Sequence, residues 1–325
     1  MEYRKLGSSD FEISRIGFGT WAAGGGDWTF ALGPQDDMES IAAIRRSVEL
    51  GINWIDTAPL YGLGHSEEIV ARALEGMTDR PYVFTKCGMP WDANGRIFHS
   101  LRSDSIRREC EASLRRLRVD VIDLYQIHWN IPEEEVEEGL ETVARLQQEG
   151  KIRYAGVSNF TVRQLTLARR IASPVSLQPP YSLLEREAED EIIPFCKEHN
   201  IGVIIYSPMK SGLLSGKMTR ERIAGFPSDD LRRSKPEFQE PQLSRNLDVV
   251  ETLRTIAARH GVSVAEIAVA WTLHNPYVDA AIVGMRRPDH AETIVRAASV
   301  RLGPEDLSEI LDVLAQDLAM LATSI

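Results

Sequence analysis

Eight short β-branched runs alternate with longer amphipathic stretches along the 325-residue chain. The runs cover residues 15–20, 53–58, 82–87, 121–128, 154–159, 175–178, 202–208 and 279–285. Helical patterns occupy 38–50, 67–74, 105–118, 134–149, 161–171, 189–199, 246–260 and 264–273. A helical crossover returns the chain to the same end of a sheet, so the strands must be parallel and an antiparallel sandwich is excluded. Eight repeats point to an α/β fold, a closed (β/α)8 TIM barrel, with an open doubly wound sheet as runner-up. A β-hairpin over residues 3–13, turning at Gly7-Ser8-Ser9, precedes the repeats, and an extra C-terminal helix over 304–322 follows them. No Pro/Gly/Ser linker splits the chain, so residues 1–325 are read as one barrel domain.

Local chemistry marks the ends of these elements. Gly51, Gly150, Gly202 and Gly261 stand where a left-handed helix cap is wanted. Thr161 and Ser263 stand at N-cap positions, Ser263 with Glu266 three residues on, a capping box. Ile106, Cys110, Leu114 and Leu117 form one helical stripe. Two long irregular stretches, 22–37 and 211–245, follow strands and read as binding loops or lids on the C-terminal face.

Composition narrows the function. Against 37 Lys and Arg stand 48 Asp and Glu, a formal charge of −11. Binding to nucleic acid by phosphate neutralisation needs clustered cations, so nucleic acid is not an expected partner. No apolar run approaches the ~18 residues that span a bilayer, and no membrane partner is expected. The N-terminal residues have no apolar core of a signal peptide, and the three cysteines are widely spaced. A cytoplasmic protein, working as a monomer or weak homo-oligomer, is the expectation.

Gly17-Phe18-Gly19-Thr20-Trp21-Ala22 fits the loose dinucleotide pattern G-x-G-x-x-A. That pattern must open a helix whose N-terminus holds the pyrophosphate. Here it runs into Gly24-Gly25-Gly26, poor helix material. It is therefore read as a strand entering a glycine-rich loop near a pocket.

In a parallel barrel, catalytic groups come from the C-terminal ends of different strands. The second strand ends at Asp56, the third at Lys86 and the fourth at His128, with Tyr61 in the loop after Asp56. Singly, each has a structural explanation: a turn cap, a rim aromatic, a paired lysine, a packed histidine. Together they make coherent chemistry. A lysine ammonium near a phenol is expected to favour phenolate and lower the tyrosine pKa. Asp56 would hold that lysine charged. Tyr61 would then be the general acid for an alkoxide, and His128 would hydrogen-bond the same oxygen. No metal-ligand cluster and no activated nucleophile accompanies them. Hydride transfer is the matching reaction, and it needs a cofactor.

Asp56-Thr57-Ala58-Pro59-Leu60-Tyr61-Gly62, Ser66-Glu67, Leu114-Arg115-Arg116-Leu117 with Asp120, Asp123-Leu124 and His128, and Gly150 through Phe160 resemble the signatures of the aldo-keto reductase superfamily. The resemblance, to a bacterial type of NADPH-dependent aldo/keto reductase, runs from about residue 3 to 298. It implies a (β/α)8 barrel that reduces aldehydes or ketones to alcohols with NADPH. The family's catalytic tetrad falls on Asp56, Tyr61, Lys86 and His128.

The resemblance also implies a cofactor site. Ser158, Asn159 and Gln178 would hold the nicotinamide carboxamide, with Asp56 adjoining, and Tyr206 would stack on the ring. Gly19, Thr20 and Trp21 would line the same cleft. Ser207, Pro208, Met209 and Ser211 would run under the pyrophosphate, with Lys217 meeting it. Gly284, Met285, Arg286 and His290 would grip the adenosine end, Arg286 at the 2′-phosphate of NADP. His290 and Ile294 stand where the family commonly has a glutamine and an asparagine that contact adenine. Trp21, Trp28, Trp91 and Trp129 would frame the mouth for a small-molecule carbonyl substrate. The alternative function is a cofactor-binding, redox-sensing regulatory subunit with little turnover.

Overall fold

The computed structural model describes residues 1–26, 28–227 and 230–322; Asp27, Ser228 and Asp229, inside the two long loops, lie outside the described residues. Antiparallel strands β1 (Tyr3–Lys5) and β2 (Glu12–Ser14) form the expected hairpin. The barrel strands are β3 (Ile16–Gly19), β4 (Trp54–Asp56), β5 (Tyr82–Cys87), β6 (Ile122–Ile127), β7 (Ile152–Ser158), β8 (Ser176–Gln178), β9 (Gly202–Ile205) and β10 (Ala280–Gly284). Among the described residues these eight pair in parallel and close in the order β10-β3-β4-β5-β6-β7-β8-β9.

Around them lie α1 (Asp37–Glu49), α2 (His65–Leu74), α3 (Ser103–Leu117), α4 (Val136–Gln148), α5 (Val162–Ile171) and α6 (Ile192–Glu198). A short α7 (Arg220–Ala224) precedes α8 (Gln242–His260) and α9 (Val264–His274); α10 (Pro288–Ile294) and α11 (Pro304–Ala322) follow the last strand. The G-x-G-x-x-A segment leads into a single 3-10 turn, Trp21–Gly24, as its glycines foretold.

Successive strand residues point to opposite faces, and here both faces are buried. Trp54, Phe84, Leu124, Ile204, Ala280 and Ile282 fill the barrel interior with Leu6, Phe11 and Ile13 of the hairpin. Their neighbours Ile55, Val83, Tyr125, Ile205, Ala281 and Val283 join the larger core beneath the helices. The hairpin thus plugs the N-terminal end, and the Trp54 indole N–H donates to the Ser14 carbonyl at 2.9 Å. Gly17 belongs to this packing: a Cβ there would lie 2.2 Å from the Trp54 ring.

Three of the four predicted glycine caps hold, with φ of +93° at Gly51, +74° at Gly150 and +64° at Gly261. Gly202 is different. The left-handed residue there is Asn200, at φ +53°. Gly202 starts β9, where a Cβ would meet Leu6 at 2.4 Å and the Gly7 nitrogen at 2.8 Å, so its role is to admit the hairpin. Capping boxes close the N-termini of α5 on Thr161 and Gln164 and of α9 on Ser263 and Glu266.

Candidate active site

Interior-facing positions near the C-terminal ends of the strands turn from apolar to polar. Trp54 gives way to Asp56 on β4, Phe84 to Lys86 on β5, and Leu124 to Gln126 on β6. At this level the lysine ammonium donates to Asp56 Oδ1 at 2.6 Å and to the Thr57 carbonyl at 2.9 Å. Lys86 is 1% exposed and Asp56 3%, so the pair is desolvated. The other carboxylate oxygen of Asp56 accepts from Gln178 at 2.8 Å and Gln126 at 3.3 Å. A buried charge pair persists only when its remaining lone pairs are satisfied, and these amides do that. Thr20 also joins Asp56, its backbone N–H and hydroxyl both donating to the Asp56 carbonyl.

Above this layer the Lys86 ammonium lies 3.4 Å from the Tyr61 hydroxyl. The Tyr61 ring meets His128 edge to face at 6.0 Å and stacks with Trp21 at 6.0 Å, 8° from parallel. The four predicted groups from β4, β5, β6 and the β4–α2 loop are therefore gathered at one place. The predicted lowering of the tyrosine pKa is overturned. Burial first, and then the Asp56 charge, hold the Tyr61 phenol well above its ordinary value. Asp56, paired with Lys86 at 2.6 Å, sets its negative charge against ionisation of the phenol. Tyr61 is consequently a firmly protonated donor. Burial, with the Lys86 charge behind it, pushes the His128 imidazole well below its ordinary value, so it is neutral. Burial also lowers Lys86, while Asp56 opposes the shift.

The residues expected at the nicotinamide form one connected set. Ser158 donates to the Gln178 carbonyl at 2.8 Å. Asn159 Nδ2 donates to the His128 carbonyl at 3.0 Å, and its Oδ1 accepts from the Tyr206 hydroxyl at 2.9 Å. This wall stands beside the tetrad and fixes the amide dipole of Asn159. Left-handed backbone at a non-glycine residue costs roughly 1–2 kcal/mol and tends to occur at functional sites. Asn159, Ser207, Lys210 and Ser211 all adopt it, at φ +61°, +58°, +46° and +53°. Three of the eight such non-glycine residues among the described ones lie between 207 and 211, the segment expected under the cofactor.

Where the adenosine end is expected, Arg286 Nε donates to Gln35 at 2.5 Å, and its other nitrogens reach the Leu32 and Pro34 carbonyls. Arg287 pairs with Asp289 at 3.0 Å. Gly284 is exposed and Met285 buried. His290 stands among Arg286, Arg287 and Lys217, whose charges act on its ring. Ile294 is 4% exposed and packs in the main core.

The four tryptophans separate. Trp21 and Trp28 lie against Tyr61, Trp28 at 6.3 Å. Trp129 follows His128 and is 38% exposed. Trp91 stands over the Arg116 guanidinium at 5.7 Å and lines a separate cavity of about 400 Å³ with Phe98, Ser100 and Glu109.

Sequence reasoning overlooked Gln126, although an amide inside an apolar strand run is a visible signal.

This geometry can be set beside known proteins. The aldo/keto reductase family model matches residues 15–315. The chain is 41% identical to aldo-keto reductase YhdN of Bacillus subtilis (97% of this chain, 94% of that protein). It is 35% identical to the NADH-specific methylglyoxal reductase of Escherichia coli (93% and 94%). The glycerol dehydrogenase AKR11B4 from Gluconobacter oxydans superimposes with a TM-score of 0.88 at 39% identity (97% and 95%). A closed barrel with this constellation on its rim, and a match across nearly its whole length, place the chain in the aldo/keto reductase family.

Proposed function

We propose that the protein reduces small aldehydes or ketones to alcohols, preferring NADPH, with Tyr61 as the proton donor. The observation that carries this reading is the buried Asp56–Lys86 pair beneath a protonated Tyr61 hydroxyl, with neutral His128 beside it. A bound nicotinamide nucleotide would supply the hydride, held by Ser158, Asn159, Gln178 and Tyr206. As negative charge develops on the carbonyl oxygen, Tyr61 delivers its proton and Lys86 gives the phenolate a neighbouring cation. His128, having one N–H when neutral, donates to the same oxygen and orients it. Trp21 and Trp28 exclude water on one side. The relatives named for methylglyoxal and glycerol support small oxygenated substrates. Although one of them is named NADH-specific, the Arg286 guanidinium favours the cofactor with the 2′-phosphate here. The intact proton-donor set supports an enzyme over a purely regulatory subunit, acting in the cytoplasm on a small-molecule partner. A panel of aldehydes and ketones, followed by NADPH absorbance, tests this; a purified protein that binds the cofactor yet turns over none of them sinks it.

A further inference from the structure

His99 lies in the loop between β5 and α3. That loop folds back on itself: Trp91 pairs with Ile97, the Phe98 N–H donates to the Pro90 carbonyl at 3.0 Å, and the Ser100 N–H to the Gly88 carbonyl at 3.2 Å. The segment 97–100 therefore runs extended, and alternate side chains take opposite sides. Phe98 and Ser100 line the separate cavity on the outer side. Ile97 packs on the inner side, against the cluster of Ala58, Leu60 and Met89 that also holds Tyr61 and Trp28. His99 shares the face of Ile97, toward the mouth of the barrel. Its charge, when present, acts on His128, the residue that follows β6. Its Nδ1 is buried and has no hydrogen-bond partner among the described residues. A buried polar atom without a partner costs about 1–3 kcal/mol, and such an atom on the face that its loop turns toward the barrel mouth calls for a ligand group.

From this we infer that His99 is a specificity-determining residue, binding a second oxygen of the substrate on the carbon next to the reacting carbonyl. Tyr61 and His128 take the reacting oxygen; His99 takes the hydroxyl or keto oxygen beside it. The site is thereby selective for α-oxygenated carbonyl compounds, 2-hydroxy ketones, 2-hydroxy aldehydes and 2-oxo aldehydes, over their alkyl counterparts. A neutral imidazole offers one donor and one acceptor nitrogen, so it serves either kind of oxygen. Burial lowers its pKa and keeps it neutral.

This inference rests on the proposed carbonyl reduction, and the test separates the two. Hydroxyacetone and butanone differ only by a hydroxyl in place of a methyl. With the full-length protein and NADPH, kcat/KM for hydroxyacetone should exceed that for butanone by tenfold or more. His99→Phe should remove roughly tenfold from hydroxyacetone and leave butanone within about twofold, because one hydrogen bond and its unpaired partner are at stake. His99→Asn, which keeps donor and acceptor, should recover part of the loss. Circular dichroism and cofactor affinity of both variants should match the parent. Equal losses for both substrates, or no loss for either, would overturn the role of His99 while leaving carbonyl reduction intact. A parent protein inert toward both would overturn the two together.

Discussion

Tyr61 combines two properties at the residue scale: it touches Lys86, and burial keeps it protonated. Tyr61→Phe retains the ring that stacks on Trp21 and removes only the hydroxyl. General acid catalysis contributes roughly 10²–10⁴-fold, so turnover should fall by about that factor. Cofactor affinity, read by tryptophan fluorescence, should persist. Near-normal turnover would reassign the proton donor. The Asp56–Lys86 pair beneath it is a second residue-level case. Removing one partner leaves a buried uncompensated charge, a loss of about 3–5 kcal/mol. Asp56→Asn and Lys86→Met should each destabilise the fold, and the double variant should cost less than their sum. Strict additivity in urea denaturation would deny the contact its energetic role, since coupled neighbours deviate by about 0.5–3 kcal/mol.

Among the elements, α3 reports on β5. Glu109 on α3 is 7% exposed; its carboxyl accepts from the Gly88 N–H at 3.1 Å, just after the strand that bears Lys86. Burial raises its pKa from 4.5 to about 7. The unfolded chain therefore releases this proton from about pH 4.5 upward, whereas the folded chain keeps it until about pH 7. Over that window the folded state holds more protons, so its stability declines as pH rises. A raise of this size is worth up to about 3 kcal/mol. Glu109→Gln cannot titrate and still accepts the Gly88 bond. Its stability advantage over the parent should grow between pH 5 and 7.5, measured by chemical denaturation; parallel curves for the two proteins would show that Glu109 is ionised throughout.

The same scale shows what a sequence reveals. The barrel strands were legible because both their faces are buried, so each stands out as an apolar, β-branched run such as Tyr82–Cys87, whose bounds match the structure. The tetrad was legible because strand ends break that pattern with ionisable residues. Short elements were not. Helix α10 and the turns of the long loop after β9 have too few residues to display a period; α10 packs through Ala291 and Ile294 on the main core, and the loop packs on Phe226, Phe238 and Leu243. The direction of the Tyr61 pKa was also hidden, since it depends on desolvation and on the Asp56 charge. His99 stayed hidden because only the fold-back of its loop turns it inward.

For the whole molecule, the proposed choice of cofactor rests on the seam where the last barrel strand meets the first. Arg286, after β10, fastens the loop after β3 through Gln35 and the Leu32 and Pro34 carbonyls. A guanidinium has five N–H donors, and these three contacts leave two for a phosphate. Asp289, the acid that would otherwise suit the free ribose hydroxyls of NAD, is tied to Arg287. Glu39 acts on both Arg286 and Arg287, so the proposed discrimination rests on the Arg286 guanidinium itself, where the extra phosphate of NADP would lie. Charge-assisted bonds contribute about 1.5–3 kcal/mol each, so NADPH should be preferred by one to two orders of magnitude. Ligand-induced thermal shifts measure this without turnover, because a ligand at a hundredfold its Kd stabilises by about 2.7 kcal/mol. NADP⁺ should raise the melting temperature at concentrations tenfold to a hundredfold below those NAD⁺ needs. In Arg286→Ala the NADP⁺ requirement should rise by tenfold or more and the NAD⁺ requirement far less. The gap between the two cofactors in the parent should narrow with added salt, which screens the partly exposed phosphate contact. If both requirements rise by the same factor, Arg286 acts only by fastening the loop, and the phosphate is read elsewhere.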